Sequence, residues 1–406
     1  MSHNPADLHC DVFISGGGPV GLLFALGLAK QQKKVVLAEK YLPQLETQSA
    51  LESVKNAFDG RVLALSKGSV DFLNEIDVWT ELQQYTTAIE HVHVSQKGYM
   101  GITTLHADEV DVEALGYSVR SQDLGSVLWG LAKQDTNITL LSPATLNSFS
   151  EQDDSISVNV DLTESKQQQI VHCQLVVGAD GTASKVRHIL DLPMEQKSYQ
   201  AYGVLAQIET EEHPQGWAYE RFTTDGPVAL LPMFGHAHKA VMVCPEEQIE
   251  EVKALSDSDY IQLFAEKMGE RLGRFTQVSQ RIVYPLNEAY APQMSKGRAL
   301  LMGNASHTQH PVAAQGLNLG IRDIESFLQQ FKGRQDLGEK AALQSYALSR
   351  EDDHKNVMGM TDSLIQIFQH HSPLVGHLRG IGLMAMQAMP KLKRRFSKFA
   401  MRGRQS

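Results

Sequence analysis

CDVFISGGGPVGLLFALGLAKQQKKVVLAE, residues 10–39, decides the fold. A short apolar run, Cys10–Ser15, stops at Gly16-Gly-Gly-Pro-Val-Gly21. From Pro19 to Lys30 the residues Val20, Leu23, Phe24, Leu26 and Gly27 take the spacing of a buried helix, and Val35–Ala38 reads as a second strand that ends in Glu39. Strand, Gly16-x-Gly18-x-x-Gly21 turn, helix, strand and acid follow one another in about thirty residues, the order of a dinucleotide site. Gly16 makes the tight turn, Gly18 lets a pyrophosphate approach the backbone, and Gly21 lets the helix lie close on the strand. Glu39 can accept hydrogen bonds from a ribose and would repel a 2′-phosphate, so the site suits the ADP half of FAD or NAD over NADP.

A second junction of the same kind lies near the other end. Ala299–Met302 is apolar and stops at Gly303-Asn304, and a loop of small residues around Pro311 follows. The segment opening at Gln315-Gly316-Leu317-Asn318 spaces Leu317, Ile321, Ile324 and Leu328 on one helical face. A helix N-terminus after a glycine turn offers free N–H groups to an anion or an electron-rich ring. His307 and His310 form a HxxH pair in this loop, but no third ligand is close in sequence and the motif's helical Glu is missing, so they read as loop structure and no metal is expected.

The 406 residues are 42% apolar and 21% charged, an ordinary composition for a chain of two domains or one large core with an inserted lobe. Cys10, Cys173 and Cys244 stand far apart with no CxxC, which fits a reduced, cytoplasmic setting. The first residues carry no signal-peptide pattern, and no apolar run reaches the roughly 20 residues of a membrane span. The net charge of −10 is uneven: beyond Asp362 there are eight basic residues and no acidic one. An acidic body with a basic end that lacks interleaved aromatics does not read as nucleic-acid binding.

Between the two junctions, residues 42–58 are polar and weakly periodic, and Asp59-Gly-Arg61-Val-Leu-Ala-Leu-Ser66 leads into a helix over Lys67–Ile76. Gln122–Lys133 has helical spacing. Ile138–Leu141, Ser155–Leu162 and Ile170–Val177 read as strands, the last running into Asp180-Gly181. From Tyr199 the texture changes: Tyr199–Ile208, Trp217–Phe222, Pro227–Pro232 and Lys239–Cys244 alternate as an antiparallel sheet, Asp257–Arg274 reads as helix, and Arg281–Leu286 returns the chain. Tyr202, Tyr219, His236, His238 and Tyr284 are polar groups of this sheet that could meet a phenol, although core or surface positions account for each of them. The last forty-odd residues are rich in Met, Leu, Lys and Arg with Pro390 in their midst. They fit either a membrane-surface segment or a helix docked on the body.

Four motifs in this order resemble one family: GGGPVG, DGRVLALSKGS, the run Val176–Arg187 (VVGADGTASKVR), and GNASHTQHPVAAQGLNLGIRD. Over about residues 10–370 the chain resembles the FAD-dependent aromatic hydroxylases of the para-hydroxybenzoate hydroxylase type, and within them the ubiquinone-biosynthesis branch, especially the 2-polyprenyl-6-methoxyphenol hydroxylases. The resemblance implies an α/β protein with a Rossmann-like FAD-binding domain, an inserted antiparallel β-sheet substrate domain and a helical C-terminal tail. FAD-binding parts would cover 1–75, 117–190 and 285–345, mixed strands 76–116, the substrate domain 191–284 and the tail 346–406.

It also implies roles. Gly16, Gly18, Gly21 and Glu39 would hold the ADP part of FAD and Arg61 the pyrophosphate. Asp180 and Gly181 would lie near the flavin, Gly303 and Asn304 at the ribityl chain and pyrophosphate, and the Gly316-Leu317-Asn318 amides at the pyrimidine edge. Pro311 would face the reacting edge of the ring and is the only catalytic candidate, because the flavin carries the chemistry. Asn304 stands where most of the superfamily has Asp, Ala314 where Gly is usual, and Gln122 where relatives carry a flavin-contacting Arg, for which Arg120 is the neighbouring substitute. The expected reaction is monooxygenation: NAD(P)H or another donor reduces FAD, O2 adds to give a hydroperoxide, and its distal oxygen passes to the ring of a polyprenylated phenol. A membrane surface, a lipid carrier or a biosynthetic complex would deliver that insoluble substrate, with the enzyme cytoplasmic or peripheral at the inner face of the membrane. The alternatives are another superfamily reaction (a different ring position, a soluble phenol or a prenyl reduction) and a non-catalytic lipid-binding subunit.

Overall fold

A computed structural model describes residues 6–42, 61–269, 271–308, 315–369 and 373–402. Its centre is a six-stranded sheet in the order Ser295–Lys296, Ala299–Leu301, Leu175–Gly178, Val12–Ser15, Val35–Ala38 and Ile138–Leu141, parallel except for the first short strand. These strands read as continuous apolar runs because both faces are buried: Val12, Ile14, Val35 and Leu37 pack among helices, and Phe13, Val36 and Val176 pack against strands Ala144–Glu151 and Ile156–Leu162. The first helix, Pro19–Lys30, is buried from Gly21 to Ala29 and packs on the Gln315–Gln330 helix. Phe24 meets Phe327 edge to face at 5.0 Å.

The register lines up the ends of the strands. Ser15 pairs with Ala38 and with Gly178, and Gly178 pairs with Leu301. The residues that follow, Gly16, Glu39, Ala179 and Met302, therefore leave one edge of the sheet side by side. In open parallel sheets that edge, where crossovers turn to opposite faces, is where ligands bind.

The apolar run Ile170–Val177, expected as one strand, is two. Gln167–Cys173 pairs with Leu8–His9 and Ile156–Leu162 in a separate four-stranded sheet, whereas Leu175–Gly178 belongs to the central sheet. The chain bends at Gln174, whose N–H donates to the Asp11 carbonyl, and the neighbouring segment Leu8–Ser15 bends beside it. A continuous apolar pattern cannot show a break where both halves are buried.

The second large sheet runs His307–Thr308, Ile282–Tyr290, Glu195–Thr210, Ala237–Pro245, Gly226–Pro232, Trp217–Thr223, His91–Gln96 and Ile102–His106, with Phe275–Val278 paired to the long Glu195–Thr210 strand. It is antiparallel as expected, except that Trp217–Thr223 and His91–Gln96 run parallel. Helices Ile249–Ala254 and Asp257–Met268 cover one face through Val204, Ala206, Ile208, Val228, Leu230, Ala240 and Met242. The second of these helices stops at Met268, short of the expected Arg274, because Gly269 turns away at φ +87°. A three-stranded sheet, Val62–Ser66, Gly116–Arg120 and Thr86–Ile89, joins the two large ones.

Helices Lys340–Gln369, Pro373–Ala388 and Pro390–Arg402 end the described chain, the first of them running through the expected boundary at 345/346. The basic last helix is docked: Lys393 is buried against Glu109 at 2.6 Å, Arg394 pairs with Asp111, and Phe396 and Met401 pack with Leu105, Val110 and Leu115. Its neighbour, Pro373–Ala388, carries exposed apolar residues, with Leu378 58% and Ile381 55% exposed. Among the described residues no helix is long and apolar enough to cross a membrane.

Candidate functional site

The glycine turn after Val12–Ser15 leaves no space for side chains. Gly16 has φ +111°, and a Cβ there would lie 2.4 Å from the Ala179 carbonyl oxygen; at Gly21 a Cβ would lie 2.0 Å from the Gly16 oxygen. Gly18 is extended (φ −74°, ψ 180°) ahead of the Pro19 helix, whose N-terminus has no side-chain cap. The first-turn N–H groups of that helix are thus left to an external acceptor. Glu39 turns back over this turn: Oε2 accepts from the Gly17 N–H at 2.6 Å and Oε1 from the Tyr41 N–H at 3.0 Å. One hydrogen bond on each oxygen leaves lone pairs open, as a diol would need.

Two neighbouring turns close on the same place. Asp180 Oδ2 accepts from the Lys185 N–H at 2.8 Å and from Ser15 Oγ at 3.3 Å, whereas buried Oδ1 has no partner. Gly181 stands at φ +81° with open space where a Cβ would be. Gly303, at φ +56°, packs on Val20, and a Cβ at Gly320 would come within 2.9 Å of the same side chain, so the starts of the two helices meet at Val20. Asn304 is exposed. Arg187, quoted above only as the end of a motif, is buried and ties two of the turns together: Nη2 donates to the Thr182 carbonyl at 2.7 Å and Nη1 to the Ala305 carbonyl at 3.0 Å.

Gly316 and Leu317 are half-buried in the first turn of the Gln315–Gln330 helix and Asn318 is buried. The Asn318 side chain is consumed by structure. Its Oδ1 accepts from the Ser66 N–H at 2.9 Å and Ser69 Oγ at 2.7 Å, and its Nδ2 donates to the Ala64 carbonyl at 2.9 Å. What Asn318 can offer a ring is therefore its backbone amide. Arg61 is exposed beside Val62, and its carbonyl accepts from the Ser121 N–H at 2.6 Å. Gln122 is half-buried in the next helical turn. The guanidinium fork of Arg120, the neighbouring substitute named from the sequence, is paired with Asp123 at 2.6 and 3.1 Å. Pro311, Ala314 and His310 lie outside the described residues.

The polar groups of the large sheet divide by face. Tyr202 and Tyr219 pack against the helix-covered core, and His238 is fully buried on that face, its pKa pushed down to about 4 by burial. His236 bonds the Thr210 carbonyl at 3.1 Å. Tyr284 packs on the opposite face with Ala201, Val243 and Leu286. A cavity of about 340 Å³ lies between Tyr290–Gly297 and Lys340–Glu351, away from all the glycine turns.

His307 belongs to a cluster that its sequence neighbours do not reveal. Asp323 Oδ2 accepts from His307 Nε2 at 2.9 Å, and Oδ1 accepts from His354 Nε2 and Arg350 Nε, each at 2.8 Å. Burial opposes the carboxylate charge, but the two histidines hold the Asp323 pKa well below its ordinary value; burial and the neighbouring His354 lower that of His307. Two histidines and a carboxylate have the chemistry of a metal set, yet here the Arg350 guanidinium already balances the carboxylate. The cluster instead clamps the long Lys340–Gln369 helix to the helix that opens at the Leu317 amide. A His, an Asp and a His at spacings of 16 and 31 residues give no sequence signal.

The bare helix terminus, the close-approach glycines, the open lone pairs of Glu39 and the orphaned Asp180 oxygen together fit an extended dinucleotide. The fold has known counterparts: it superposes on p-nitrophenol 4-monooxygenase PnpA from Pseudomonas putida DLL-E4 with a TM-score of 0.78 at 15% identity, covering 99% of this chain and 100% of that one. In sequence it is 28% identical to the 3-demethoxyubiquinol 3-hydroxylase of Escherichia coli K12, covering 99% of this chain and 100% of the relative. It is 29% identical to the ubiquinone hydroxylase UbiL of Rhodospirillum rubrum, covering 98% and 90%. Residues 9–359 match the FAD binding domain family, and the chain belongs to that family.

Proposed function

We infer that this FAD-dependent monooxygenase hydroxylates the aromatic ring of a polyprenylated phenol in ubiquinone biosynthesis. The observation that carries the reading is the placement of four sequence-distant turns at one sheet edge, in a chain similar end to end to a hydroxylase named for demethoxyubiquinol. FAD, reduced by a donor such as NAD(P)H, supplies the oxidising chemistry together with O2. The protein's part is binding, orientation and exclusion of water. Gly16, Gly18, Gly21 and Glu39 take the ADP half, Arg61 and Gly303-Asn304 the pyrophosphate and ribityl chain, and the Gly316–Asn318 amides the ring edge. Asp180, Gly181 and Gln122 line the flavin; Pro311, the catalytic candidate from the sequence, lies outside the described residues.

The exposed apolar stripe of the Pro373–Ala388 helix, flanked by exposed Lys391, Arg395 and Lys398, supports contact with an anionic membrane surface, where such a substrate resides. The test is the quinone profile of cells lacking the protein, joined to the spectrum of the purified chain. A prenylated phenol short of one hydroxyl, and flavin bands bleached by reductant and restored by air, are the expected results. Normal quinone content, or a colourless protein that refuses FAD, would end the proposal.

A further inference from the structure

The register of the large sheet sets one carboxyl among apolar neighbours. Glu220 pairs with Ala229, Ala229 with Val241, and Val241 with Leu205; on its other side Glu220 pairs with Val94, and Val94 with Thr103. Paired residues share a face, as do residues two apart on a strand, so Ala218 and Phe222 flank Glu220 as well. This face is the reverse of the one that helices Ile249–Ala254 and Asp257–Met268 cover through the intervening positions.

The C-terminal helices and the cofactor side of the molecule enclose it. Thr103 Oγ1 donates to the Leu383 carbonyl at 2.6 Å, which seats the Pro373–Ala388 helix on the Glu220 side, and the long Lys340–Gln369 helix packs on the strand of Glu220 and on its neighbour. Lys239, on the same face and two strands away at about 10 Å, bonds the Val62 carbonyl. That strand also holds Asn318, the residue after Leu317. The layer containing Glu220 thus borders the turn assigned to the ring of FAD.

Glu220 is half-buried and has no hydrogen-bond or ion-pair partner among the described residues. A carboxyl on an apolar face is costly to keep unless something else satisfies it. Burial alone pushes its pKa up to about 7, so it exchanges a proton near neutral pH, as a general base should.

We propose that the Glu220 carboxylate accepts the proton of the substrate's phenol hydroxyl, an assignment that rests on the hydroxylase reading above. The phenol O–H bond breaks, an O–H bond forms on a Glu220 oxygen, and the electron pair left on the phenol oxygen enriches the ring for attack. No electron passes to or from Glu220; the oxidising equivalents come from O2 and the donor. Neighbouring Ala218, Phe222, Ala229 and Val241 supply the apolar surface a prenylated ring needs and keep water from competing for the carboxylate.

The experiment uses the full FAD-loaded chain, a short-chain prenylated phenol and its O-methyl ether, which has no proton to give. Affinities are read from the change in flavin absorbance on binding, and hydroxylation from product. At pH 8 the wild type should prefer the phenol by about tenfold or more, and this preference should fade as pH falls below about 7. Glu220→Gln should bind the ether as the wild type does, lose the preference for the phenol, and hydroxylate on the order of a hundredfold more slowly, with flavin reduction unchanged. A variant that keeps wild-type preference and rate from pH 6 to 9 overturns the role of Glu220 and leaves the hydroxylase reading intact. A wild type that oxygenates no prenylated phenol overturns that reading, and the role of Glu220 with it.

Discussion

Asp323→Asn tests how the cofactor turn is held. The substitution keeps the shape of the side chain and removes its charge. In the wild type three donors converge on the carboxylate, His307 Nε2, His354 Nε2 and Arg350 Nε, all within 2.9 Å, and the Asp323 carbonyl receives the Tyr346 hydroxyl at 2.8 Å. An amide has one acceptor oxygen, so its NH2 group faces either an N–H donor or a His307 ring forced into the opposite tautomer, and among the described residues Arg350 retains only Asp353 as counter-ion. Removing one partner of a buried ion pair costs about 3–5 kcal/mol. With an unfolding entropy of roughly 2 cal/mol/K per residue over this length, that is a fall in Tm of about 4–6 °C. Differential scanning fluorimetry at pH 7.5 reads the shift, and ultrafiltration of the same samples reads FAD retention, which should weaken because the clamped helix begins at the amides proposed to meet the ring. A variant that melts within about 1 °C of wild type would refute the argument that this cluster carries the clamp.

The same cluster makes the protein acid-labile. His307 has its pKa below the ordinary 6.5 in the folded state, so the unfolded chain binds more protons as pH falls below 6.5 and stability drops there; the low Asp323 pKa adds a further loss only as pH falls below the 3.8 of an unfolded aspartate toward its folded value. Melting curves from pH 8 to 5 should show this decline, and a flat profile would contradict it. Glu220 works with the opposite sign: its folded pKa of about 7 lies above the ordinary 4.5, so its cost grows as pH rises through that window. Glu220→Gln should therefore gain up to about 3 kcal/mol at pH 8 and little near pH 4, and an equal gain at both would show that charge is not the cause. Gly16→Val sets a side chain against the Ala179 carbonyl and should yield flavin-poor protein; full FAD occupancy would contradict the site. Leu378→Glu with Ile381→Glu should reduce binding to anionic vesicles without lowering Tm, since both side chains are exposed, and unchanged binding would exclude that helix face.

What could be read from the sequence was local. The Gly16–Gly21 turn, its helix, and the acid at Glu39 were legible because each signal sits within a few residues of the next. The break at Gln174, the parallel pairing of Trp217–Thr223 with His91–Gln96, and the Asp323 cluster were not, because each depends on a partner tens of residues away. Glu220 left a faint trace: in the alternating strand WAYERFT it shares parity with Ala218 and Phe222, and a charge among buried positions is the sign to look for. The basic tail was ambiguous by composition. Its lysines and arginines fitted a membrane-surface segment and a docked helix equally, and the contacts that decide for Lys393 and Arg394, with Glu109 and Asp111, lie far away in sequence.

The side-by-side strand ends have a consequence for synthesis. Val12–Ser15 lies next to Leu175–Gly178, and only then comes Ala299–Leu301, so the last wall of the site emerges from the ribosome nearly three hundred residues after the first. A nascent chain can fold its glycine turn early but lacks the segment proposed to hold the ring end of FAD until residues 299–318 have been made. Loading of the cofactor is thereby a late event, and a chain truncated before Ala299 should leave the ribosome colourless.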